Sequence, residues 1–310
     1  MSMTELGLGK VTDDARTASC NAALVTESDR ARTMDQINSY EKTLGHSAEE
    51  LERLDRQGDY LRDATRNLLW RAGIAKGMHV LDLGAGTGEV SLLAAELVGP
   101  HGHVFSVEPS ASAREQMAAR LLAKGINNVH IVDGSDANLP TILGGFDAVV
   151  GRLVLVHVKD PLSTIKRLLQ VLRPGGLLVF QEIDIEAACW SEPPIPLVHK
   201  CFHWIVSAFT QAGMPKDIGR KLQDAFVDAE LTHRHIVREG LMEAGDNPLA
   251  FEFLARTVKS LAPLIERLRI ATPQELDTDT LEARLGTETQ AVHGHFIPCY
   301  LLNAWARKPM

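Results

Sequence analysis

Short apolar runs alternate with amphipathic segments between residues 78 and 184. The runs are rich in Val, Leu and Ile, and we predict that they form strands at 79–83, 103–108, 129–133, 146–150 and 176–184. The segments between them carry apolar residues at a helical period, which predicts four intervening helices. Strands that alternate with helices in this way form a parallel, doubly wound sheet. The pattern therefore predicts the α/β fold class.

Glycines at positions 84, 86 and 88 follow the first predicted strand, and an Ala/Leu-rich helical segment runs from Val90 to Val98. Strand, glycine-rich turn and helix together are typical of a nucleotide-binding loop. A dinucleotide fingerprint would need a third glycine where this chain has Glu89. A carboxylate at a helix N-terminus repels a pyrophosphate, whereas it suits a ligand with sulfonium and ammonium groups. The loop therefore predicts S-adenosylmethionine as its ligand, with a nicotinamide dinucleotide as the weaker alternative.

Glu108 ends the second predicted strand, about 20 residues beyond the glycines. Nucleotide-binding sheets place a carboxylate at this point to accept hydrogen bonds from both ribose hydroxyls. Charge-assisted bonds of this kind contribute roughly 1.5–3 kcal/mol each. Glu108 is therefore the predicted ribose ligand.

Six ordered segments of the chain resemble class I S-adenosylmethionine-dependent methyltransferases. They are VLDLGAGTG at 80–88, VEPS at 107–110, GSDANLP at 134–140, FDAV at 146–149, VKDP at 158–161 and LRPGG at 172–176. Within this family the chain is most similar to the ubiquinone- and menaquinone-biosynthesis branch and to small-metabolite enzymes. The resemblance covers residues 78–184, whereas residues 1–50 and 185–310 are far less diagnostic. It implies a Rossmann-like sheet, methyl transfer from S-adenosylmethionine to a small molecule, and S-adenosylhomocysteine as product.

The resemblance also implies which residues contact the cofactor. Asp82 would orient the glycine loop or the cofactor amine, and Gly84, Gly86 and Gly88 would let the backbone approach closely. The ribose would lie against Glu108 and Pro109, and Gly151 and Arg152 would line the methionine side through their backbone. Ser135 or Asp136 would address the adenine amino group; the choice stays open because the family usually has Gly-Asp-Ala where this chain has Gly134-Ser-Asp-Ala. Tyr40 would lie near the methionine end, or alternatively would only pack a lid helix.

The sequence on either side of the six segments predicts further elements. We expect a mobile tail at 1–25, an N-terminal helical lid at 26–76, the cofactor-binding core at 77–185, and substrate-cap helices with the last two strands at 186–310. In detail, we predict helices at 197–212 and 217–229, a strand near 232–238, two helices within 247–289 with the second starting at Pro273, and a last strand at 296–305. The sheet would then have seven strands with the last one antiparallel. Roughly 55 residues would separate the last two strands, far above ordinary loop length, so this helical insertion is either a substrate cap or a subunit interface.

Composition narrows the class of substrate. The chain has 310 residues, 45% of them hydrophobic, and a formal net charge of −8, which argues against a nucleic-acid partner. Its four cysteines form no C-x-x-C pair, and no leader or apolar run of membrane-spanning length is visible, so we expect a soluble, cytoplasmic protein with reduced thiols and no membrane partner. Three His-x-His motifs, beginning at His101, His233 and His293, lack an acidic or cysteine partner at metal-ligand spacing, so no metal is predicted. A small-molecule acceptor and a possible homodimer remain as partners.

Methyl transfer depends mainly on alignment, since holding reactants in line is worth effective molarities of roughly 10⁵–10⁸ M. If the acceptor is a hydroxyl, a base would help by about 10²–10⁴-fold, and the candidates are His157, Glu182, Asp184 and His203. For each of these four residues, the alternative to a catalytic role is a purely structural one. An amine or an ionised acceptor would need no base. Apolar residues of the predicted cap favour an apolar or aromatic acceptor, unless they only cover the sheet; they are Phe202, Trp204, Ile205, Phe209, Phe251 and Phe253. Some proteins resembling this family catalyse cyclisations or eliminations instead, and that alternative stays open.

Overall fold

A computed structural model of the chain describes residues 48–134, 145–155, 160–185, 190–213, 217–244 and 248–310. The predicted tail at 1–25 and the first part of the predicted lid lie outside the described residues. The helices are α1 Ala48–Ala72, α2 Glu89–Val98, α3 Ala111–Lys124, α4 Pro161–Val171, α5 Pro196–Gln211, α6 Ile218–Asp228, α7 Pro248–Arg267, α8 Pro273–Leu276 and α9 Leu281–Ala291. The strands are β1 His79–Leu83, β2 His103–Glu108, β3 Val129–Asp133, β4 Phe146–Arg152, β5 Leu172–Ile183, β6 Trp190–Glu192, β7 Thr232–Gly240, β8 Glu243–Ala244, β9 His295–Ile297 and β10 Tyr300–Arg307.

The main sheet has seven strands in the order β3-β2-β1-β4-β5-β10-β7. The first five strands of this order pair in parallel, and β10 runs antiparallel to both β5 and β7. The predicted α/β, Rossmann-like sheet with an antiparallel last strand is therefore confirmed. Its order reverses beside β1, and in such sheets ligands bind in the crevice at the carboxyl ends of the strands next to that point.

Local signals explain where the helices of the core begin. Gly88 precedes α2 in the left-handed conformation, with φ +89°. Ser110 caps α3 by accepting a hydrogen bond from the Ala113 N–H, and Asp160 caps α4 by accepting one from the Ser163 N–H, directly before Pro161. These caps place the first turns of the helices next to the carboxyl ends of β1, β2 and β4.

Helices cover both faces of the main sheet. On one face α4 and α6 pack on the strands through a cluster that includes Ile165, Leu222 and Phe226. On the other face α1 and α2 form a second cluster, which includes Leu69 and Leu93. A third cluster joins α5, α7, α8 and α9 to one another and to Phe296. The predicted cap is therefore a helical layer with its own apolar core.

Two predicted elements of the cap differ from the structure. The helix predicted from Pro273 onward divides into α8 and α9, because Asp277 adopts a left-handed conformation with φ +38° and ends α8. The strand predicted at 296–305 divides at Pro298, which has no N–H to donate to a ladder. As a result β9 joins β6 and β8 in a separate three-stranded sheet, and only β10 enters the main sheet.

In the part of the chain that the structure describes, no helix combines the length and the apolar character needed to cross a bilayer.

Candidate functional site

A cavity of about 250 Å³ opens at the carboxyl ends of β1, β2, β4 and β5, beneath helices α1, α5 and α7. Its wall has two parts of different character. We call one the polar end, formed by residues 84–87, Glu89, Glu108, Pro109 and Arg152. We call the other the apolar end, formed chiefly by Phe202, Ile205, Val206, Phe209, Phe253, Leu254, Leu261 and Cys299.

The glycine loop of the polar end depends on backbone conformations that other residues rarely adopt. Gly84, Gly86 and Gly88 have φ angles of +64°, +54° and +89°. A Cβ on Gly88 would lie 2.5 Å from the Met117 side chain, and one on Gly84 would lie 2.9 Å from Val154. A Cβ on Gly86 would meet its first neighbour only at 4.0 Å. Gly84 and Gly88 are therefore needed for packing, whereas Gly86 leaves space on the cavity side.

Glu108 is fixed beside this loop. Its side chain is buried, and its carboxylate accepts hydrogen bonds from the Gly86 N–H at 2.8 Å and the Ser110 N–H at 2.9 Å. Bonds from backbone donors hold a carboxylate in one orientation. Gly134 packs against the same segment, since a Cβ there would approach the Pro109 nitrogen at 2.8 Å.

Asp82 lies buried at the end of β1, under the loop. The Ser91 hydroxyl donates to its Oδ2 at 2.6 Å, and Oδ1 has no hydrogen-bond partner within the described ranges. Burial is the main cause that raises the pKa of Asp82 from 3.8 to about 7, against the lowering effects of Ser91 and of the positive charge of Arg152. An orphaned buried oxygen of this kind is a site for a hydrogen-bond donor.

Glu89 is compensated by two arginines. Its carboxylate bonds the Arg120 guanidinium at 2.6 Å and also pairs with Arg62 of α1. Arg120 in turn binds Asp55 of α1 at 3.0 Å. The repulsion of a pyrophosphate predicted from Glu89 therefore does not follow from the geometry, because the negative charge is neutralised. The ion pairs instead attach α1 to the start of α2 and to α3.

Arg152 ends β4 and lines the cavity. Its Nη1 donates to the Thr65 hydroxyl of α1 at 3.2 Å. Thr65 continues into a chain of polar groups: its Oγ1 lies 2.7 Å from Gln181 Oε1, Gln181 donates to Asn303 at 2.9 Å, and Asn303 donates to Glu239 at 2.7 Å. This chain connects α1 with β5, β10 and β7.

The structure separates the predicted catalytic candidates. Glu182 is fully buried, and its Oε1 accepts from the Val154 and Leu155 N–H groups, so it holds the segment that follows β4. Asp184 lines the cavity and pairs with Arg238 of β7 at 2.5 Å. His203 is exposed on α5 and is not among the residues that line the cavity. Four predicted site residues lie outside the described residues, namely Tyr40, Ser135, Asp136 and His157.

The apolar end contains four of the six apolar cap residues that the sequence singles out. Phe202, Ile205, Phe209 and Phe253 line the cavity, whereas Trp204 and Phe251 are buried within the helical cluster. Burial, with a smaller effect of the Glu243 charge, raises the pKa of the Cys299 thiol to about 12. The thiol therefore stays protonated and is a neutral part of the wall.

Several cavity residues carry no sequence signal of their own. They include Arg53, Leu54 and Gln57 of α1 and Thr257 and Ser260 of α7. Only the packing of these helices over the strand ends brings them to the site. Among the described residues, no group of three or more His, Cys, Asp or Glu side chains is arranged to hold a metal ion.

Comparisons with known proteins agree with this architecture. Residues 74–222, just under half of the chain, match a family model described as a methyltransferase domain. The chain is 32% identical over 140 residues to the demethylmenaquinone methyltransferase of Lactococcus lactis, which covers 43% of this chain and 53% of that protein. It is 31% identical over 140 residues to the protein of the same name from Staphylococcus haemolyticus, covering 43% of this chain and 55% of that protein. The chain thus spans about half the length of the curated relatives it matches.

Solved structures show the same fold. The YcgJ protein from Bacillus subtilis superposes with a TM-score of 0.53 at 17% identity, covering 80% of this chain and 99% of that one. Phosphoethanolamine N-methyltransferase 2 of Haemonchus contortus, solved with phosphomonomethylethanolamine and S-adenosylhomocysteine, has a TM-score of 0.50 at 18% identity and covers 93% of this chain and 61% of that one.

Proposed function

We propose that this chain is a class I S-adenosylmethionine-dependent methyltransferase and that it transfers a methyl group from S-adenosylmethionine to a small apolar or aromatic molecule, a proposal supported by the methyltransferase-domain match over residues 74–222. The observation that carries the proposal is the division of one cavity into a polar end and an apolar end. Two ligands of different chemistry fit such a cavity side by side, and their contact falls where the two ends meet.

The residues of the polar end fit the cofactor by their chemistry. Glu108 presents a carboxylate fixed by two backbone N–H groups, which suits the ribose hydroxyls. The open side of Gly86 leaves room for close approach. Asp82 lies under the loop and not in the cavity wall, so it acts in this proposal by supporting the loop. When bound, S-adenosylmethionine supplies a methyl group on a positively charged sulfur, so that a neutral thioether leaves.

The chain's own part in the reaction is to align the acceptor and exclude water. Helices α5 and α7 supply the apolar wall, and α1 closes the polar end through the ion pairs of Arg62 with Glu89 and of Asp55 with Arg120. We assign α1 to the predicted lid at 26–76 and the helices at 186–310 to the acceptor cap. The insertion between β7 and β10 acts in this proposal as a cap rather than a subunit interface, since α7 contributes Phe253, Leu254 and Leu261 to the cavity.

Asp184 is our candidate for a general base. It lines the cavity beyond the end of β5, and Arg238 orients its carboxylate. A carboxylate there would accept the proton of a hydroxyl acceptor, which is worth about 10²–10⁴-fold. Glu182 has a structural task instead, because its carboxylate already holds two backbone N–H groups.

The acceptor is not carried over from the relatives. The curated relatives are named for demethylmenaquinone, but the cap residues Phe253, Leu254 and Leu261 lie outside the matched range 74–222. We therefore propose only the class of acceptor, an apolar or aromatic small molecule.

A labelled-methyl assay tests the proposal. The protein is incubated with S-adenosylmethionine carrying a labelled methyl group and with a panel of phenols, quinols and aromatic amines, and products are identified by mass spectrometry. We expect S-adenosylhomocysteine to form in equal amount with a methylated acceptor. Turnover of an acceptor without S-adenosylhomocysteine would replace methyl transfer by a cyclisation or elimination, and no binding of S-adenosylmethionine would overturn the proposal.

A further inference from the structure

Among the described residues, two arginines line the cavity, Arg53 and Arg152, and they differ in their partners. Arg53 is satisfied by a neighbouring carboxylate, since its Nε and Nη2 donate to the two oxygens of Glu50 at 2.9 Å and 2.6 Å. Arg152 donates one hydrogen bond, to the neutral hydroxyl of Thr65. Within the described ranges it has no other hydrogen bond and no ion pair. A guanidinium has five N–H donors, so most of its hydrogen-bonding capacity is left for a ligand.

The carboxylates nearest to Arg152 are committed elsewhere. Glu89 gives one oxygen to Arg62 and the other to Arg120, and Asp82 receives the Ser91 hydroxyl on Oδ2. Burial lowers the pKa of Arg152, and the charges of Glu89 and Asp82 counteract part of that effect. The guanidinium nevertheless remains charged, because its ordinary pKa is far above neutral pH.

The position of Arg152 is fixed by neutral groups. The Thr65 hydroxyl accepts the hydrogen bond from Nη1 and is itself bonded to the amide of Gln181. Gln181 is bonded to the amide of Asn303, and only Asn303 is bonded to a carboxylate, that of Glu239. On its other side the Nη2 atom lies 3.5 Å from the point that a Cβ on Gly58 would occupy, an ordinary van der Waals distance, so α1 packs beside the guanidinium at this point. The chain therefore orients the guanidinium without neutralising it. A partly buried cation held in this way is stabilised by an anion.

We infer that the Arg152 side chain binds the carboxylate of the amino-acid portion of S-adenosylmethionine. The inference rests on the proposed function and deepens it. It assigns the contact to the guanidinium of Arg152, whereas the sequence predicts only a backbone contact there.

The test compares two ligands that differ by the carboxylate alone, S-adenosylmethionine and decarboxylated S-adenosylmethionine. Isothermal titration of the wild-type chain should show decarboxylated S-adenosylmethionine binding about tenfold or more weakly, as expected for a charge-assisted, forked contact. In Arg152→Gln, S-adenosylmethionine should lose that advantage and bind as weakly as the decarboxylated ligand. The affinity for decarboxylated S-adenosylmethionine should change by no more than about twofold, because that ligand cannot use the contact.

Two further variants sharpen the result. Arg53→Gln is the matched control, since Arg53 lines the same cavity but is engaged by Glu50, and it should keep the wild-type ratio of the two affinities. Arg152→Lys keeps the charge without the fork and should discriminate to an intermediate degree. Equal weakening of both ligands in Arg152→Gln would show a structural role and overturn the inference.

The wild-type measurement stands even if Arg152→Gln does not fold. Equal affinity of the wild-type chain for the two ligands overturns the inference without any variant. Failure of the wild-type chain to bind either ligand is a different result, and it overturns the proposed function.

Discussion

The polar end and the apolar end of the cavity are built on different principles. At the polar end the carboxylates have partners in fixed positions: Glu108 accepts from two N–H groups and Glu89 pairs with two arginines, while beneath the loop Asp82 accepts from Ser91. At the apolar end, side chains of α5 and α7 form a wall through contacts that have no preferred direction. The addition or loss of a single atom should therefore change stability or cofactor affinity at the polar end. At the apolar end, ligand affinity should respond mainly to changes in side-chain volume.

Gly88→Ala should have the largest effect on the polar end. The added Cβ would lie 2.5 Å from Met117 and would force a φ of +89° on a residue with a side chain. Overpacking and the strained backbone together should lower the free energy of unfolding by about 3 kcal/mol. Urea unfolding followed by circular dichroism measures this loss.

Gly125→Ala is the matched control for that change. Gly125 has a φ of +64°, but a Cβ there would meet nothing within 4 Å. The control should lose only the backbone term, about 1 kcal/mol. Equal losses in the two variants would mean that the loop tolerates an added atom, and the contrast between the two ends would not hold.

Asp82→Asn should change how stability depends on pH. Because the pKa of Asp82 is raised from 3.8 to about 7, the folded wild type keeps a proton that the unfolded chain has lost between these values. The wild type therefore loses stability as pH rises through this window, and the loss is complete above about pH 7. The variant lacks this term, so its stability relative to wild type should improve by about 2–3 kcal/mol between pH 5 and pH 8.

Urea unfolding at a series of pH values gives that difference. Asp63→Asn, an exposed aspartate of α1, is the control and should follow the wild-type profile. A pH-independent difference between Asp82→Asn and wild type would mean that the Asp82 carboxylate is ionised throughout and that a donor reaches its Oδ1.

Glu108→Ala should weaken cofactor binding while leaving the apolar end unchanged. Loss of the fixed carboxylate removes one or two charge-assisted hydrogen bonds, which should raise the dissociation constant of S-adenosylhomocysteine by about 10- to 100-fold. Titration calorimetry measures it. Glu115→Ala, an exposed glutamate on α3, should stay within about twofold of wild type. Unchanged affinity in Glu108→Ala would remove the ribose assignment.

The polar end was largely predictable from sequence because its chemistry demands particular residues. The loop needs positive φ at Gly84, Gly86 and Gly88, and only glycine adopts it without strain. The order of the sheet follows from alternating strands and helices, which places Glu108 beside the loop. The role of Glu89 was not predictable, because its partners Arg62 and Arg120 come from other helices and meet it only in the folded chain.

The apolar end was less predictable, since an apolar residue does not show which surface it covers. Phe202 lines the cavity while the adjacent His203 is exposed, because successive residues of a helix point about 100° apart. The phase of α5 depends on its packing against α7, which composition alone does not specify. The break at Asp277 escaped prediction for a similar reason, since Leu276, Leu281 and Leu285 are all buried and keep one apolar side across it.

Val206→Trp should have the smallest effect on the cofactor and therefore tests the independence of the two ends. The larger side chain would fill part of the apolar end, so binding of a neutral aromatic probe such as 2-naphthol should weaken by about tenfold or more. S-adenosylhomocysteine should bind within about twofold of wild type, because distant sites act additively. Titration of both ligands into one preparation gives the two numbers.

His203→Trp is the control, because it introduces the same residue on the exposed side of the same helix. It adds a similar volume to α5 outside the cavity, so both affinities should stay within about twofold of wild type. Loss of 2-naphthol binding in this control would indicate that α5 is rotated from its described position. Loss of S-adenosylhomocysteine binding in Val206→Trp, with His203→Trp unaffected, would contradict the independence of the two ends. It would show that the wall formed by α5 also supports the polar end, because the added side chain does not itself contact that end.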